Sequence, residues 1–206
     1  MINKEHALLI PFLKEPWKAR TFKEIKHLVK KTSESYVYNT LKKHVKQGLL
    51  KEQRAGNVIL YSLDISTAKT QSTIGFISEH LAWNTKHLPT NMIQTILKKL
   101  QSPYFTLIIT GSYAKNKQTE NSDVDIVVII DDKADPKSNK AQIQFTCETS
   151  IPPGHPYVFK ASEFLQMLTN KEINYGTEIA KNNIILFGGQ EYYRIMHEAI
   201  EHGFDG

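Results

Sequence analysis

The chain has 206 residues, a formal net charge of +5, 40% hydrophobic and 10% aromatic residues, a balance that excludes a disordered chain and allows one large domain or two small ones. Its one cysteine, Cys147, excludes an internal disulfide and fits a reducing, cytoplasmic setting. No apolar run reaches bilayer-spanning length and Met1-Ile2-Asn3-Lys4 does not open a secretory signal, so no membrane partner is expected. The charge is unevenly placed: residues 1–64 hold 13 Lys and Arg against 6 Asp and Glu, net +7, while residues 65–206 carry net −2. The two parts are expected to meet different partners, against the alternative of plain solubilising lysine enrichment.

In chain order, Lys4 to Leu13 reads as a helix offering Ala7, Leu8, Ile10 and Leu13 for burial, closed by Pro16. Thr21-Phe22-Lys23-Glu24 has the form of a capping box, followed by Phe22, Ile25, Leu28 and Val29 at helical spacing. Ser33 caps a third helix that runs to Gln47 with Val37, Leu41 and Val45 on one stripe, and Gly48 stops it. Leu49 to Gln53 and Val58 to Leu63 then read as strands joined through Arg54-Ala55-Gly56-Asn57.

Three helices followed by a β-hairpin over residues 1–64 resemble a winged helix-turn-helix domain. The resemblance implies that the third helix is a recognition helix, with Ser35, Tyr38, Asn39, Lys42, Lys43 and Lys46 on its outward face and Arg54 at the tip of the wing. Lysines there neutralise phosphates, and Asn39 has the amide that pairs with an adenine edge. Nucleic acid is the expected partner, duplex DNA ahead of RNA, against the alternative of a solvated helix face.

Ser66 to Lys86 reads as a connecting helix within a 65–90 bridge, and it offers a surface for a homodimer. Pro89 interrupts it, and Thr90 or Asn91 caps another helix reaching Leu100. The next stretch carries the chemistry. Phe105 to Thr110 is an apolar strand, Gly111-Ser112 follows, and Asp123-Val124-Asp125 opens a second apolar strand through Ile130. Glycine lets backbone approach a phosphate closely, and Ser112 adds a hydroxyl and an N–H. Carboxylates at i and i+2 project from one face of a strand and can hold divalent cations that also take phosphate oxygens.

Gly111-Ser112-Tyr113-Ala114-Lys115-Asn116, continued by Ser122-Asp123-Val124-Asp125, resembles the nucleotidyltransferase motif of the DNA polymerase beta superfamily, its minimal members above all. The resemblance implies an NTP substrate, Mg2+ or Mn2+, and transfer of a nucleoside monophosphate to a hydroxyl. It makes Gly111, Ser112, Lys115 and Ser122 nucleotide-binding residues and makes Asp123 and Asp125 catalytic metal ligands. Lys115 stands where many relatives have arginine, and Asn116 where glycine is usual; asparagine is the residue next best suited to positive φ. The family's active members carry a third carboxylate on a later strand. The later strand here, Pro156 to Lys160, holds no acid; either Glu148 substitutes, or the incoming substrate supplies the ligand and Glu148 is an ordinary exposed glutamate.

Downstream, Ser162 caps a helix through Leu168, Ile184 to Phe187 is a short buried strand, and Gln190 to Glu201 is a final helix. Tyr175 and Gly176 lie in a polar stretch that either packs or marks a helix irregularity, or else borders a pocket, and neither a zinc site nor a Walker loop is present in the pattern. The expected fold is α+β with an α/β-type mixed sheet: a winged helix unit at 1–64, a connecting helix at 65–90, and a polymerase-beta-like nucleotidyltransferase domain with C-terminal helices at 91–206. Two functions remain open. One is a nucleotidyltransferase acting on a polynucleotide, protein or small-molecule acceptor. The other is a DNA-binding transcriptional regulator that binds nucleotide without turnover.

Overall fold

A computed structural model describes residues 2–206. The N-terminal segment forms a single turn of 3-10 helix at His6–Leu8 and a short helix α1 (Ile10–Leu13), not the continuous helix expected from Lys4. Pro11 explains the break: it has no N–H for an upstream carbonyl and is tolerated only in the first turn of a new helix. A two-residue strand β1 (Arg20–Thr21) leads into α2 (Phe22–Leu28). Thr21 Oγ1 accepts the Glu24 N–H at 3.2 Å, and Glu24 Oε2 accepts the Thr21 N–H at 2.7 Å, so the capping box is complete. α3 (Glu34–Lys46) starts on Ser33, whose Oγ accepts the Tyr36 N–H at 3.3 Å, and ends before Gly48 at φ +72°.

Strands β2 (Leu50–Ala55) and β3 (Val58–Leu63) pair in antiparallel register from Leu50–Leu63 to Ala55–Val58. The hairpin loop is therefore Gly56-Asn57, two residues shorter than the sequence suggested. β1 adds to the far side of β3, giving the order β1-β3-β2.

The rest of the chain is built on a four-stranded mixed sheet. Helices α4 (Ala68–Trp83) and α5 (Thr90–Lys99) precede β4 (Phe105–Thr110), the one-turn α6 (Gly111–Ala114) and β5 (Val124–Ile130). They are followed by α7 (Pro136–Thr149), β6 (Gly154–Lys160), α8 (Ala161–Thr169), α9 (Tyr175–Lys181), β7 (Ile184–Phe187) and α10 (Gly189–Glu201). The strand order is β6-β5-β4-β7, with β5 and β6 parallel and the other two pairs antiparallel. The fold is thus α+β with a mixed sheet, as expected.

Because side chains alternate across a strand, the sheet divides its apolar residues between two cores. Leu107, Ile109, Val124, Ile126 and Val128 face α5 and α7, where Ile96, Ile143 and Cys147 are also buried. Ile108, Val127, Ile129 and Ile185 face the other way, onto Phe164, Tyr192 and Met196. The second core is continuous with Leu8, Phe12, Ile25, Leu41 and Tyr61 of the N-terminal unit.

The segment read as a connecting helix contributes directly to this core. α4 buries Ile74 and Ile77 completely, and its Ser78 hydroxyl lies 2.8 Å from the fully buried Tyr193 hydroxyl. Glu79 Oε1 accepts the Gly189 N–H at 2.6 Å, supplying the N-terminal acceptor that α10 lacks in its own capping residue, Gly188. α5 begins at Thr90 with Pro89 in the capping position and no side-chain cap, and α8 begins at Ala161, where Glu163 Oε2 accepts the Lys160 N–H at 2.8 Å. None of Thr90, Asn91 and Ser162 therefore serves as the cap that the sequence suggested. Among the described residues no helix is long and apolar enough to cross a membrane.

Candidate functional site

The end of β4 meets the start of β5 through the pair Thr110–Asp125. Thr110 Oγ1 donates to the Asn182 carbonyl at 2.6 Å, fixing the strand end against the chain that leaves α9. The turn into α6 then needs Gly111, at φ +66°, where a Cβ atom would overlap Oδ2 of Asp125. The backbone at Gly111 and the Asp125 carboxylate are consequently in direct van der Waals contact. Ser112 follows in the same turn, its carbonyl accepting the Lys117 N–H at 2.9 Å, and Asn116 takes φ +53° as its residue type suggested.

Asp123 and Asp125 project from one face of β5, with Val124 buried on the other. Asp125 is half-buried. Burial pushes its carboxyl above the usual carboxylate range; His155 draws it down and Asp123 raises it further. Asp123 is more exposed, and its Oδ2 accepts a hydrogen bond from His155 Nε2 at 2.9 Å.

His155 is the residue that the sequence reading missed. The strand expected to begin at Pro156 begins at Gly154, and parallel pairing sets His155 opposite Asp125 and Tyr157 opposite Val127. His155, Tyr157 and Phe159 alternate along β6, so they share the face that carries Asp125. That alternation was the available signal.

α9 closes the same side. It starts on Asn174, whose Oδ1 accepts the Gly176 and Thr177 N–H groups. Tyr175 packs against the second core, as one of its two readings had it, with its ring centroid 5.0 Å from that of Tyr157. Burial first, and then the charge of Asp125, pushes its phenol far above its ordinary value. Glu178, one turn later, pairs with Lys115 at 2.6 Å. Lys115 is thus held beside α6 by an acid absent from the sequence-level site.

The remaining expected residues fall as follows. Ser122 accepts the Thr119 N–H at 2.8 Å, so its hydroxyl closes the turn before Asp123. Glu148 lies near the end of α7, on a helix and not on the sheet, where its Oε1 accepts from Gln144 Nε2 at 2.5 Å. It lines a cleft of about 350 Å³ together with Asp123, Lys140, His155 and Tyr157. Among the described residues no three His, Cys, Asp or Glu side chains converge as a metal-binding group. Asp123 and Asp125 still fit a divalent ion of the kind that takes one or two protein carboxylates and completes its shell with phosphate oxygens and water.

On the N-terminal unit, Ser35, Asn39, Lys42 and Lys46 form one stripe along α3, with Tyr38 beside it 48% exposed. Lys42 is paired to Glu52 at 2.7 Å and Lys43 to Glu5 at 2.8 Å, so neither presents an unopposed charge, whereas Lys46 is exposed. Arg54 Nε donates to the Gly56 carbonyl at 3.2 Å across the hairpin tip.

No match was found among curated proteins, and none among solved structures. Comparison with protein-family models gives one match, to the nucleotidyltransferase domain, over residues 91–153. That span runs from α5 through α7, contains Gly111, Ser112, Asp123, Asp125 and Glu148, and stops just before β6. Nucleotidyl-transfer character is therefore attached to the same stretch in which Gly111 is packed against Asp125.

Proposed function

We propose that this protein is a metal-dependent nucleotidyltransferase that moves a nucleoside monophosphate from an NTP to an acceptor hydroxyl. The observation that carries this reading is the contact of the Gly111 turn with the Asp125 carboxylate, inside the span that matches the nucleotidyltransferase domain. A triphosphate lying along Gly111 and Ser112 would reach the oxygens of Asp123 and Asp125 without rearrangement of the sheet. Mg2+ or Mn2+ held there would neutralise phosphate charge. Lys115 would present its ammonium to the phosphates while still paired to Glu178, and Tyr157 and Tyr175 would wall the site against water.

In the same proposal, residues 1–64 form a winged helix unit that binds nucleic acid, residues 65–90 connect, and residues 91–206 form the transferase domain. The helix order, the β1-β3-β2 sheet and the polar stripe on α3 support the first assignment. A second reading, a DNA-binding regulator that holds nucleotide without turnover, is favoured by one observation: the β6 position beside Asp125 is His155 and not a carboxylate.

The test is purified protein with Mg2+ and each labelled NTP, offered RNA, DNA and co-purified protein. The enzyme reading expects pyrophosphate release and a labelled acceptor, both lost in Asp123→Asn with Asp125→Asn. NTP binding without release or labelling would replace it with the regulator. Undiminished binding in the double variant would remove the site from both readings.

A further inference from the structure

We infer that this site takes one divalent ion and not two, with His155 positioning Asp123 and closing the place that a second ion would need. The inference rests on the nucleotide site proposed above. Two ions in one site stand roughly 3.5–4 Å apart and repel, so they need shared anionic oxygens on both sides. The carboxylates at this end of the sheet are Asp123 and Asp125, a formal charge of −2. His155 sits in register with Asp125 and donates its Nε2 hydrogen to Asp123 Oδ2 at 2.9 Å. An ion approaching from the β6 side would meet an N–H donor and an oxygen already engaged.

The neighbouring acids are engaged as well. Glu178 is paired to Lys115 at 2.6 Å, and Glu148 receives Gln144 Nε2 at 2.5 Å from within its own helix. These contacts agree with the absence, among the described residues, of any converging group of three potential ligands. What remains is Asp123 Oδ1 with the Asp125 carboxylate, enough for one ion shared with phosphate oxygens. His155 therefore acts through Asp123, and its replacement by an acid should add a metal site instead of merely weakening one. Its side chain is 59% exposed, so a polar substitution there leaves the cores intact.

The experiment counts Mn2+ bound per protein by electron paramagnetic resonance, with saturating Mn2+ and a non-hydrolysable analogue of each NTP in turn. The wild type is expected to bind one ion, His155→Asn one, and His155→Asp two. Two ions in the wild type, or a folded His155→Asp variant that binds the analogue with only one, would overturn the inference. Failure of the wild type to bind any analogue with Mn2+ would instead overturn the nucleotide site itself.

Discussion

Replacing Gly111 by alanine separates backbone strain from disruption of the site. Gly111 and Gly48 both lie in the left-handed region, at φ +66° and +72°, where a Cβ costs roughly 1–2 kcal/mol. At Gly48 a Cβ meets nothing within 4 Å, whereas at Gly111 it overlaps Asp125 Oδ2. That oxygen is the end of a side chain, so the carboxylate can rotate away at little further cost in stability. For a chain of this size, roughly 1–2 kcal/mol corresponds to a fall in Tm of about 2–8 °C, expected in both variants by circular dichroism. Binding of Mn2+ with a non-hydrolysable NTP analogue should separate them. Gly48→Ala should bind as the wild type does. Gly111→Ala, with Asp125 turned out of line, should lose about 10–100-fold in affinity, the range seen when support of a metal ligand is removed. Equal affinity in the two variants would refute the claim that the Gly111 turn and the Asp125 carboxylate form one site.

Three further outcomes follow from the packing and ion pairs. Lys42→Ala with Lys43→Ala should reduce the slope of log affinity for duplex DNA against log salt by up to about 1.8, the full value only where both lysines exchange glutamate for phosphate, and Glu5→Gln with Glu52→Gln should free both lysines and tighten binding; unchanged slopes would move the partner to another surface. Burial pushes the Cys147 thiol up to about 11, so iodoacetamide at pH ~8 should label it only after denaturation; labelling of native protein at the rate of an exposed thiol would contradict the packing of α7. The Ser162 N–H, at 2.9 Å, holds Asp132 below the usual carboxylate range. The fold therefore favours the charged form: this stabilisation is present above the unfolded value near pH ~4 and is lost as pH falls through the lower folded value. Tm should fall less steeply with acidification in Asp132→Asn than in the wild type, and equal slopes would show that this bond contributes nothing.

Local signals were the ones that could be read in advance. The Thr21–Glu24 box and the Ser33 cap each depend on atoms three residues apart, and both form as expected. Lys4 to Leu13 does not form one helix because the missing N–H of Pro11 outweighs the apolar spacing. α7 and α9 each have a cap in sequence, at Asp135 and Asn174, but polar residues interrupt their apolar faces and leave no clear helical period.

The sequence alone determined the centre of the proposed site: Gly111, Asp123 and Asp125 lie within one strand-turn-strand segment, where φ requirements and the two-residue strand period act locally. It also determined the polar stripe of α3. Only the tertiary structure decided what surrounds these groups. Glu52 and Glu5 reach Lys42 and Lys43 from elements distant in sequence, Glu178 reaches Lys115 from α9, and the parallel register of β5 with β6 puts His155, not an acid, beside Asp125. Register across thirty residues is set by which apolar faces are buried together in the two cores. No spacing within the motif specifies it.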